Sequence, residues 1–276
     1  MSPPALLGPA SAPDLHAMSF NIRRAMGGPL VRRADRWDHR APAVLAVLES
    51  EAPTVVGLQE VRPHVLDVVR DALGSRYRSL GRGRGRRGDG EGTPILYDAS
   101  RLTLRSWSQQ ALSDTPATPG SRGWGNLIPR ILVAAEFTDD STGHRLLVVN
   151  IHLDHLSPGS RARSAAAVTA LVARSASPAI VMGDLNAGEG SAAVRTLIAD
   201  GLVDSWDAAE TRLSPEWGTC PGYRPARVGG RRIDRLLVTP GIRVRAAAMN
   251  NRTFDSIRPS DHLPVQSLLR ITEDGR

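Results

Sequence analysis

The sequence predicts an α/β fold, a four-layer α/β/β/α sandwich of two mostly antiparallel sheets with outer helices. Short apolar runs typical of buried strands alternate along the 276 residues with segments of helical periodicity. This order occurs twice. In the first half of the chain two strands end at Asn21 and Glu60, and in the second half two strands end at His152 and Asp184. Two such halves can bury one face of each sheet against the other and cover the outer faces with helices.

Four elements are predicted in the first half of the chain. They are strands over 15–21 and 54–59 and helices over 37–50 and 63–73. Apolar residues at helical spacing mark the first helix, which should end before Pro53 because the residue before a proline disfavours the helical conformation. Pro63 suits the first position of the second helix and Gly74 the position after its end.

The rest of the chain alternates between turn-rich loops and apolar segments. The loop over 81–92 contains six glycines and four arginines, lacks the spacing of a phosphate-binding P-loop, and is expected to be a flexible surface loop. Ser157 and Pro158 predict the N-cap and first residue of an alanine-rich helix ending near 175. A further helix is predicted over 190–199, and strands over 94–98, 101–108, 130–137, 145–151, 179–183, 233–238, 242–248 and 263–270.

The length of 276 residues fits one large α/β domain or two small ones. We expect a single domain over 15–272, preceded by a disordered tail over 1–14 that is rich in Pro, Ala and Ser. No run of 18 apolar residues is present, so no membrane span is expected. Cys220 is the only cysteine, which excludes an intrachain disulfide. With no export signal in the sequence, we expect a cytoplasmic monomer.

The charge is strongly basic, with a formal net charge of +7 and no lysine among the 35 basic residues. One interpretation is a phosphorylated partner such as nucleic acid, because clustered arginines bind phosphates. The other is a compositional bias of the source genome, since alanine, glycine and proline are also abundant. Charge alone leaves both interpretations open.

Polar residues follow apolar runs in six places, which is more than turn formation explains. These places are Asn21, Gln59–Glu60, 150–154, Asp184 with Asn186, Asp234, and Asp261–His262. Their oxygen ligands, with Glu60, Asp261 and Asn21 as the candidates, suit Mg²⁺ or Mn²⁺. Zinc is disfavoured, because His152 and His262 lack a thiolate or a third histidine at ligand spacing.

Together these segments resemble the endonuclease/exonuclease/phosphatase superfamily. The matching pieces, in the order of the superfamily, are Met-Ser-Phe-Asn-Ile-Arg at 18–23, Gly-Leu-Gln-Glu-Val at 57–61, Asn-Ile-His-Leu-Asp-His at 150–155, Gly-Asp-Leu-Asn at 183–186, Ile-Asp at 233–234 and Ser-Asp-His at 260–262. Each piece is short, but the ordered set is specific. Arg235 departs from the pattern, which usually has an aromatic residue there, and we expect this to affect packing more than chemistry.

The resemblance implies a role for each matching residue. Glu60 would be the principal metal carboxylate, supported by Asn21 and Asp261. Asp184 would orient or deprotonate the attacking water, and Asn186 would hold the phosphoryl oxygen. His262 would bind the phosphate or act as a base, with Asp234 fixing its tautomer. The remaining candidates are His152 near the phosphate, Glu91 as its carboxylate partner, and Arg62 and Arg130 as phosphate contacts.

The sequence therefore predicts a metal-dependent phosphoester hydrolase. Its substrate is expected to be a phosphodiester, as in a nuclease, and the alternatives are a small phosphorylated metabolite or lipid, or a biosynthetic use of the same site. A basic protein that only binds nucleic acid is disfavoured, because binding alone would not require carboxylates beside a phosphate. Fold and site do not determine which of these substrates enters.

Overall fold

The computed structural model describes residues 4–272, and it has the predicted four layers. Two mixed sheets of seven and six strands pack face to face, with helices covering both outer faces. Neighbouring strands are antiparallel except for three parallel pairs. Residues 1–3 of the predicted tail lie outside the described residues.

The seven-stranded sheet has the order β10-β12-β13-β1-β2-β4-β3, and the six-stranded sheet has the order β5-β6-β7-β8-β11-β9. The strands are β1 Asp14–Asn21, β2 Val55–Gln59, β3 Tyr77–Leu80, β4 Ile95–Asp98, β5 Leu102–Ala111, β6 Ile131–Asp139, β7 Arg145–His152, β8 Ala179–Asp184, β9 Val203–Asp204, β10 Thr211–Arg212, β11 Asp234–Val238, β12 Ile242–Met249 and β13 Val265–Ile271. The helices are α1 Trp37–Glu51, α2 Pro63–Leu73, α3 Pro158–Ala173, α4 Ala192–Ala199 and α5 Ser205–Ala208.

Three apolar layers hold the sandwich together. The central layer joins the inner faces of both sheets through side chains such as Phe137 and Leu269. A second layer packs α1 and α2 on the seven-stranded sheet, and a third packs α3 and α4 on the six-stranded sheet. Full burial of each large aliphatic side chain stabilises the fold by about 1.5–3 kcal/mol before entropy is counted.

Strand direction gathers the polar strand ends at one edge of the molecule. β1 and β2 are parallel neighbours, and so are β7 and β8, so the carboxyl ends of each pair lie together. β11 runs antiparallel to β8, which places Asp234 at its start opposite Asp184. β13 runs antiparallel to β1, so the segment before it, which contains His262, returns to the same edge.

A buried polar network joins the two sheets close to this edge. Asn150 on β7 donates from Nδ2 to the carbonyls of Leu58 and Pro94, at 2.9 and 2.8 Å, and its Oδ1 accepts from Gln59 at 2.8 Å. Gly57 makes this approach possible, since a Cβ there would lie 2.7 Å from Cγ of Asn150. Asn150, one of the polar strand-end residues, is therefore a link between the sheets.

Some local predictions need correction. The tail predicted to be disordered over 1–14 is held to the domain at Leu6, Leu7 and Gly8, whose backbone N–H groups donate to the carboxylate of Glu51. The short strands β3, β9 and β10 were not predicted, because segments of two to four residues carry too little periodicity. Within 4–272 no helix has the length and apolar character that crossing a membrane requires.

Candidate active site

Asn21 forms a bridge between the two sheets at the polar edge. Its Nδ2 donates to Oε1 of Glu60 at 3.1 Å and to Oδ2 of Asp184 at 3.0 Å, while its Oδ1 accepts from the backbone of Arg23. Asn21 is fully buried. Because Asp184 belongs to the opposite sheet, one amide group sets the relative position of two carboxylates from separate halves of the chain.

Glu60 is held in place by its backbone as well as by its neighbours. It has a φ of 62°, a left-handed conformation that is rare for residues with a side chain and that clusters at functional sites. Its Oε2 accepts from the backbone N–H of Arg24 at 2.8 Å. Burial acts to raise the pKa of Glu60, but the hydrogen bonds from Arg24 and Asn21 outweigh it and lower that pKa, so the carboxylate is ionised.

His262 and Asp234 form a buried pair beside Asp184. Nδ1 of His262 lies 2.9 Å from Oδ2 of Asp234, which leaves Nε2 facing the site at 3.9 Å from Oδ2 of Asp184. Burial alone would lower the pKa of His262, but Asp234 outweighs it and raises that pKa well above its ordinary value. Burial and the charge of Asp234 raise the pKa of Asp184 to about 7.

His152 approaches Asp184 from the neighbouring strand. Its Nε2 lies 3.6 Å from Oδ2 of Asp184. Burial, followed by the positive charges of Arg130 and Arg84, holds the pKa of His152 well below its ordinary value, so the ring is neutral. The two histidines of the site therefore differ in charge, one neutral and one protonated.

Asn186 follows Asp184 in a tight turn. Its backbone N–H donates to Oδ1 of Asp184 at 2.8 Å, and its Nδ2 donates to the carbonyl of Leu153 at 3.0 Å. Its φ of 48° is again left-handed, a conformation that asparagine tolerates better than most residues. The turn places the half-buried Asn186 side chain beside the Asp184 carboxylate.

The chemistry of these donors fits a hard divalent cation. Among residues 4–272, ligand atoms of Asp184, Asp234 and His262 lie within 4.8 Å of one another. Glu60 adds an ionised carboxylate that Asn21 connects to Asp184. Carboxylate and amide oxygens are the ligands that Mg²⁺ and Mn²⁺ prefer. Asp261 contributes less than expected, because its Oδ2 faces Nε of Arg23 at 3.5 Å.

Three predicted substrate-binding residues lie elsewhere or are already paired. Glu91, predicted as the partner of His152, forms ion pairs with Arg84 at 2.7 Å and Arg24 at 3.5 Å. Arg130 is 3% exposed, and its guanidinium contacts Asp154 and Nδ1 of His155 instead of the open site. Arg62 is an exposed N-cap residue of α2.

Sequence reasoning missed Arg40, which organises the loops of the site. This fully buried side chain on α1 donates to the carbonyls of Ile22 at 2.7 Å and Pro259 at 3.0 Å, and to those of Arg23 and Arg24. It thereby ties the loop after Asn21 to the loop before His262. One sequence signal could have indicated this role. Arg40 lies three residues before Ala43, and therefore on the apolar face of the helix.

Cys220, the single cysteine of the chain, touches the site. Its exposed thiol lies 3.4 Å from Nε2 of His262. No sequence signal indicated this contact, because 42 residues separate the two.

Known families and solved structures resemble this chain. A model of the endonuclease/exonuclease/phosphatase family matches residues 18–262. The chain belongs to this family. The family and its solved members are phosphoester hydrolases, which confirms that prediction from the sequence. A search of curated proteins found no match.

Solved structures extend the likeness over the whole domain. A family protein from Bacteroides thetaiotaomicron is 28% identical, with 95% of this chain and 96% of that chain covered and a TM-score of 0.86. The mannosyl-6-phosphatase Bt3783 from Bacteroides thetaiotaomicron is 29% identical over 92% and 99% of the two chains, with a TM-score of 0.85. TDP2 of D. rerio, complexed with a single-strand DNA product, is 19% identical over 94% and 99%, with a TM-score of 0.69, and shows the shared fold.

Proposed function

We propose that the protein is a divalent-metal-dependent phosphoester hydrolase in which water attacks phosphorus in line. The observation that supports this best is the set of groups around Oδ2 of Asp184, which Asn21, His152 and His262 approach at 3.0, 3.6 and 3.9 Å. These groups come from both sheets and converge on one carboxylate. A carboxylate held in this way can orient a water molecule and accept its proton.

The side chains take distinct roles in this proposal. Asp184 positions and deprotonates the attacking water, and Asn186 holds a phosphoryl oxygen. His262 donates from Nε2 to the phosphate, with its tautomer and orientation set by Asp234 at Nδ1. His152 lies on the other side of Asp184 and contacts the phosphate as a neutral ring. Hydrogen-bond donors aimed at developing charge are each worth about 10²–10³ in rate.

Glu60 and Asp184 would hold the metal ion, and Asn21, whose Nδ2 donates to both carboxylates, would position them. A bound Mg²⁺ or Mn²⁺ would neutralise charge that develops on the phosphoryl oxygens. Asp261 lies in the same loop as His262, and we assign it to orienting Arg23.

A phosphodiester is the leading candidate substrate. Arginines lie near the site, with Arg23 beside Asp261 and with Arg24 and Arg84 beside Glu91. Phosphodiester strands present repeated anionic groups to such a surface. A sugar phosphomonoester is the second candidate, because the 29% identical Bacteroides structure is a mannosyl-6-phosphatase.

Hydrolysis assays on a substrate panel test the proposal. The panel contains duplex DNA, RNA, bis-p-nitrophenyl phosphate, p-nitrophenyl phosphate and hexose phosphates, each with Mg²⁺, Mn²⁺ or EDTA. We expect hydrolysis of bis-p-nitrophenyl phosphate that EDTA abolishes and added metal restores. Cleavage of monoesters alone would replace the diester assignment with the second candidate, and metal-independent turnover would overturn the mechanism.

Paired variants make the metal assignment specific. Glu60→Gln removes the charge of the proposed metal ligand and should lower metal-dependent activity by orders of magnitude. Glu49→Gln is the matched control, because Glu49 is exposed on α1 and its replacement changes the net charge by the same amount. Equal activity in the two variants would contradict a metal role for Glu60.

A further inference from the structure

A cationic cleft lies between the loop over 81–92, strand β5 and the segment 116–120. Its volume is about 640 Å³. The side chains that matter for its chemistry are Arg82, Arg84, Arg86, Arg87, Trp107 and Gln109. The cleft opens where the outer strands of the two sheets, β3 and β5, approach each other.

Backbone hydrogen bonds fold the loop back on itself, contrary to the flexible loop expected from its glycines. The N–H groups of Gly83, Arg84 and Gly85 donate to the carbonyls of Gly88, Glu91 and Asp89 at 2.9–3.0 Å. The N–H of Arg82 donates to Gln109 on β5 at 2.7 Å, which ties the loop to the opposite sheet. The arginines therefore project from an ordered backbone.

Most of the positive charge in this loop is not neutralised by the protein. Arg84 pairs with Glu91 at 2.7 Å. In the part of the chain that the structure describes, no carboxylate pairs with the side chains of Arg82, Arg86 or Arg87, although each contributes to the cleft. Three free guanidinium groups around one cleft favour an anionic ligand, and their planar forks suit phosphate oxygens.

Backbone and side-chain contacts link the loop of the cleft to the proposed metal carboxylate. Val61, the residue after Glu60, pairs with Gly92, and Gly92 pairs in turn with Gly83 at the edge of the cleft. Side chains make a second connection, because Glu91 contacts both Arg84 and Arg24, and the backbone of Arg24 donates to Glu60. Arg84, which lines the cleft, is therefore connected to Glu60 through Glu91 and Arg24.

We propose that this cleft is a second phosphate subsite, which binds a phosphate of the substrate other than the one that is hydrolysed. The inference rests on the proposed hydrolase function and narrows its substrate to molecules with at least two phosphate groups. The second phosphate can come from the next position of a nucleic-acid strand or from a small bisphosphate. Trp107, which is 40% exposed, offers a ring face for the base or sugar between the two phosphates.

Kinetics of a triple variant test the subsite. Arg82→Gln, Arg86→Gln and Arg87→Gln together remove the free guanidinium groups and leave the Arg84–Glu91 pair intact. We expect kcat/KM to fall about 10²-fold or more, mainly through KM, on a phosphorylated thymidine oligonucleotide or on a hexose bisphosphate. On bis-p-nitrophenyl phosphate, which has a single phosphate, kcat/KM should stay within about two-fold of wild type.

A matched control separates a local effect from the change in net charge. Arg145, Arg195 and Arg243 are exposed and lie outside the cleft, and their triple change to Gln alters net charge equally. Equal losses in the two triple variants on the oligonucleotide and the bisphosphate would overturn the subsite. If only one of the two substrates loses more kcat/KM in the cleft variant than in the control variant, that substrate identifies the source of the second phosphate.

Binding without turnover keeps this test independent of the proposed function. Calorimetric titration in EDTA compares the oligonucleotide and the hexose bisphosphate with a hexose monophosphate. The subsite predicts that the wild-type protein and the control variant bind a two-phosphate ligand more tightly than the monophosphate. The cleft variant should lose this preference, and the result supports the subsite even if no substrate is hydrolysed. No preference for a second phosphate in the wild-type protein would overturn it, whereas hydrolysis of single-phosphate probes would leave the proposed function standing.

Discussion

The amide of Asn21 donates a hydrogen bond of 3.0 Å to the carboxylate of Asp184, which is 163 residues away and in the other sheet. The same amide contacts Glu60 at 3.1 Å. One buried side chain therefore positions the carboxylates of the two halves of the chain relative to each other.

Replacement of Asn21 should impair turnover more than folding. We expect Asn21→Ala to lower kcat roughly 10²-fold and to raise the Mg²⁺ concentration needed for half-maximal activity, because both carboxylates lose a positioning contact. Steady-state assays with a metal titration measure this. Asn250→Ala is the control, since its buried amide donates to Glu51 outside the site. Wild-type kcat in Asn21→Ala would contradict the positioning role.

His262 and Asp234 should behave as a unit. Loss of the imidazole in His262→Ala is expected to reduce kcat about 10²–10⁴-fold. Asp234→Asn keeps the ring but removes the carboxylate that orients it, so its loss should be smaller. The double variant should be no worse than His262→Ala, because residues that act together give non-additive losses. If the loss of kcat in the double variant equals the product of the losses in the two single variants, the two side chains act separately.

Alkylation of Cys220 should inactivate the enzyme. The thiol is exposed and lies 3.4 Å from Nε2 of His262, so an added carbamidomethyl group would crowd the ring that we propose binds the phosphate. Because Cys220 is the only cysteine, iodoacetamide labels this position alone among thiols. Cys220→Ala should resist the reagent and retain activity within about five-fold, since only one weak hydrogen bond is lost. Equal inactivation of both proteins would exclude Cys220 as the cause.

The stability contributed by Asp139 should depend on pH. Burial acts to raise the pKa of Asp139, but hydrogen bonds from Arg101 and the backbone of Ser141 outweigh it and lower that pKa. A native pKa below the unfolded value of about 3.9 stabilises the protein above that pH, and the benefit is lost as pH falls through the native pKa.

Asp139→Asn tests this dependence by denaturant unfolding across pH. At pH 7 the variant should lose about 3 kcal/mol, because Arg101 remains largely buried without its charged partner. The difference from wild type should shrink below pH 4. Asp140→Asn is the control, since Asp140 is exposed next to Asp139. If the free energy of unfolding differs between Asp139→Asn and wild type by the same amount at every pH, the variant has lost packing and not a charge interaction.

The placement of most elements could be predicted, because apolar periodicity and cap residues are local signals. Pro63 and Gly74 marked the ends of α2 correctly, and Ser157 caps α3 by accepting a hydrogen bond from the backbone of Ser160 at 3.1 Å. The disordered tail failed as a prediction at Leu6 to Gly8, because the stabilising partner is Glu51, more than 40 residues away. No local pattern reports such a contact.

By itself, the sequence determined the layered α/β class, the polar residues at the strand ends and their membership of a phosphoester hydrolase family. These follow from side-chain type and spacing, which are properties of the chain. Only the tertiary structure decided which of these residues meet. It paired Glu91 with Arg84, brought Cys220 to His262, and gathered three free arginines around one cleft. The physical reason is that strand direction and sheet packing, not distance along the chain, set which side chains share one edge.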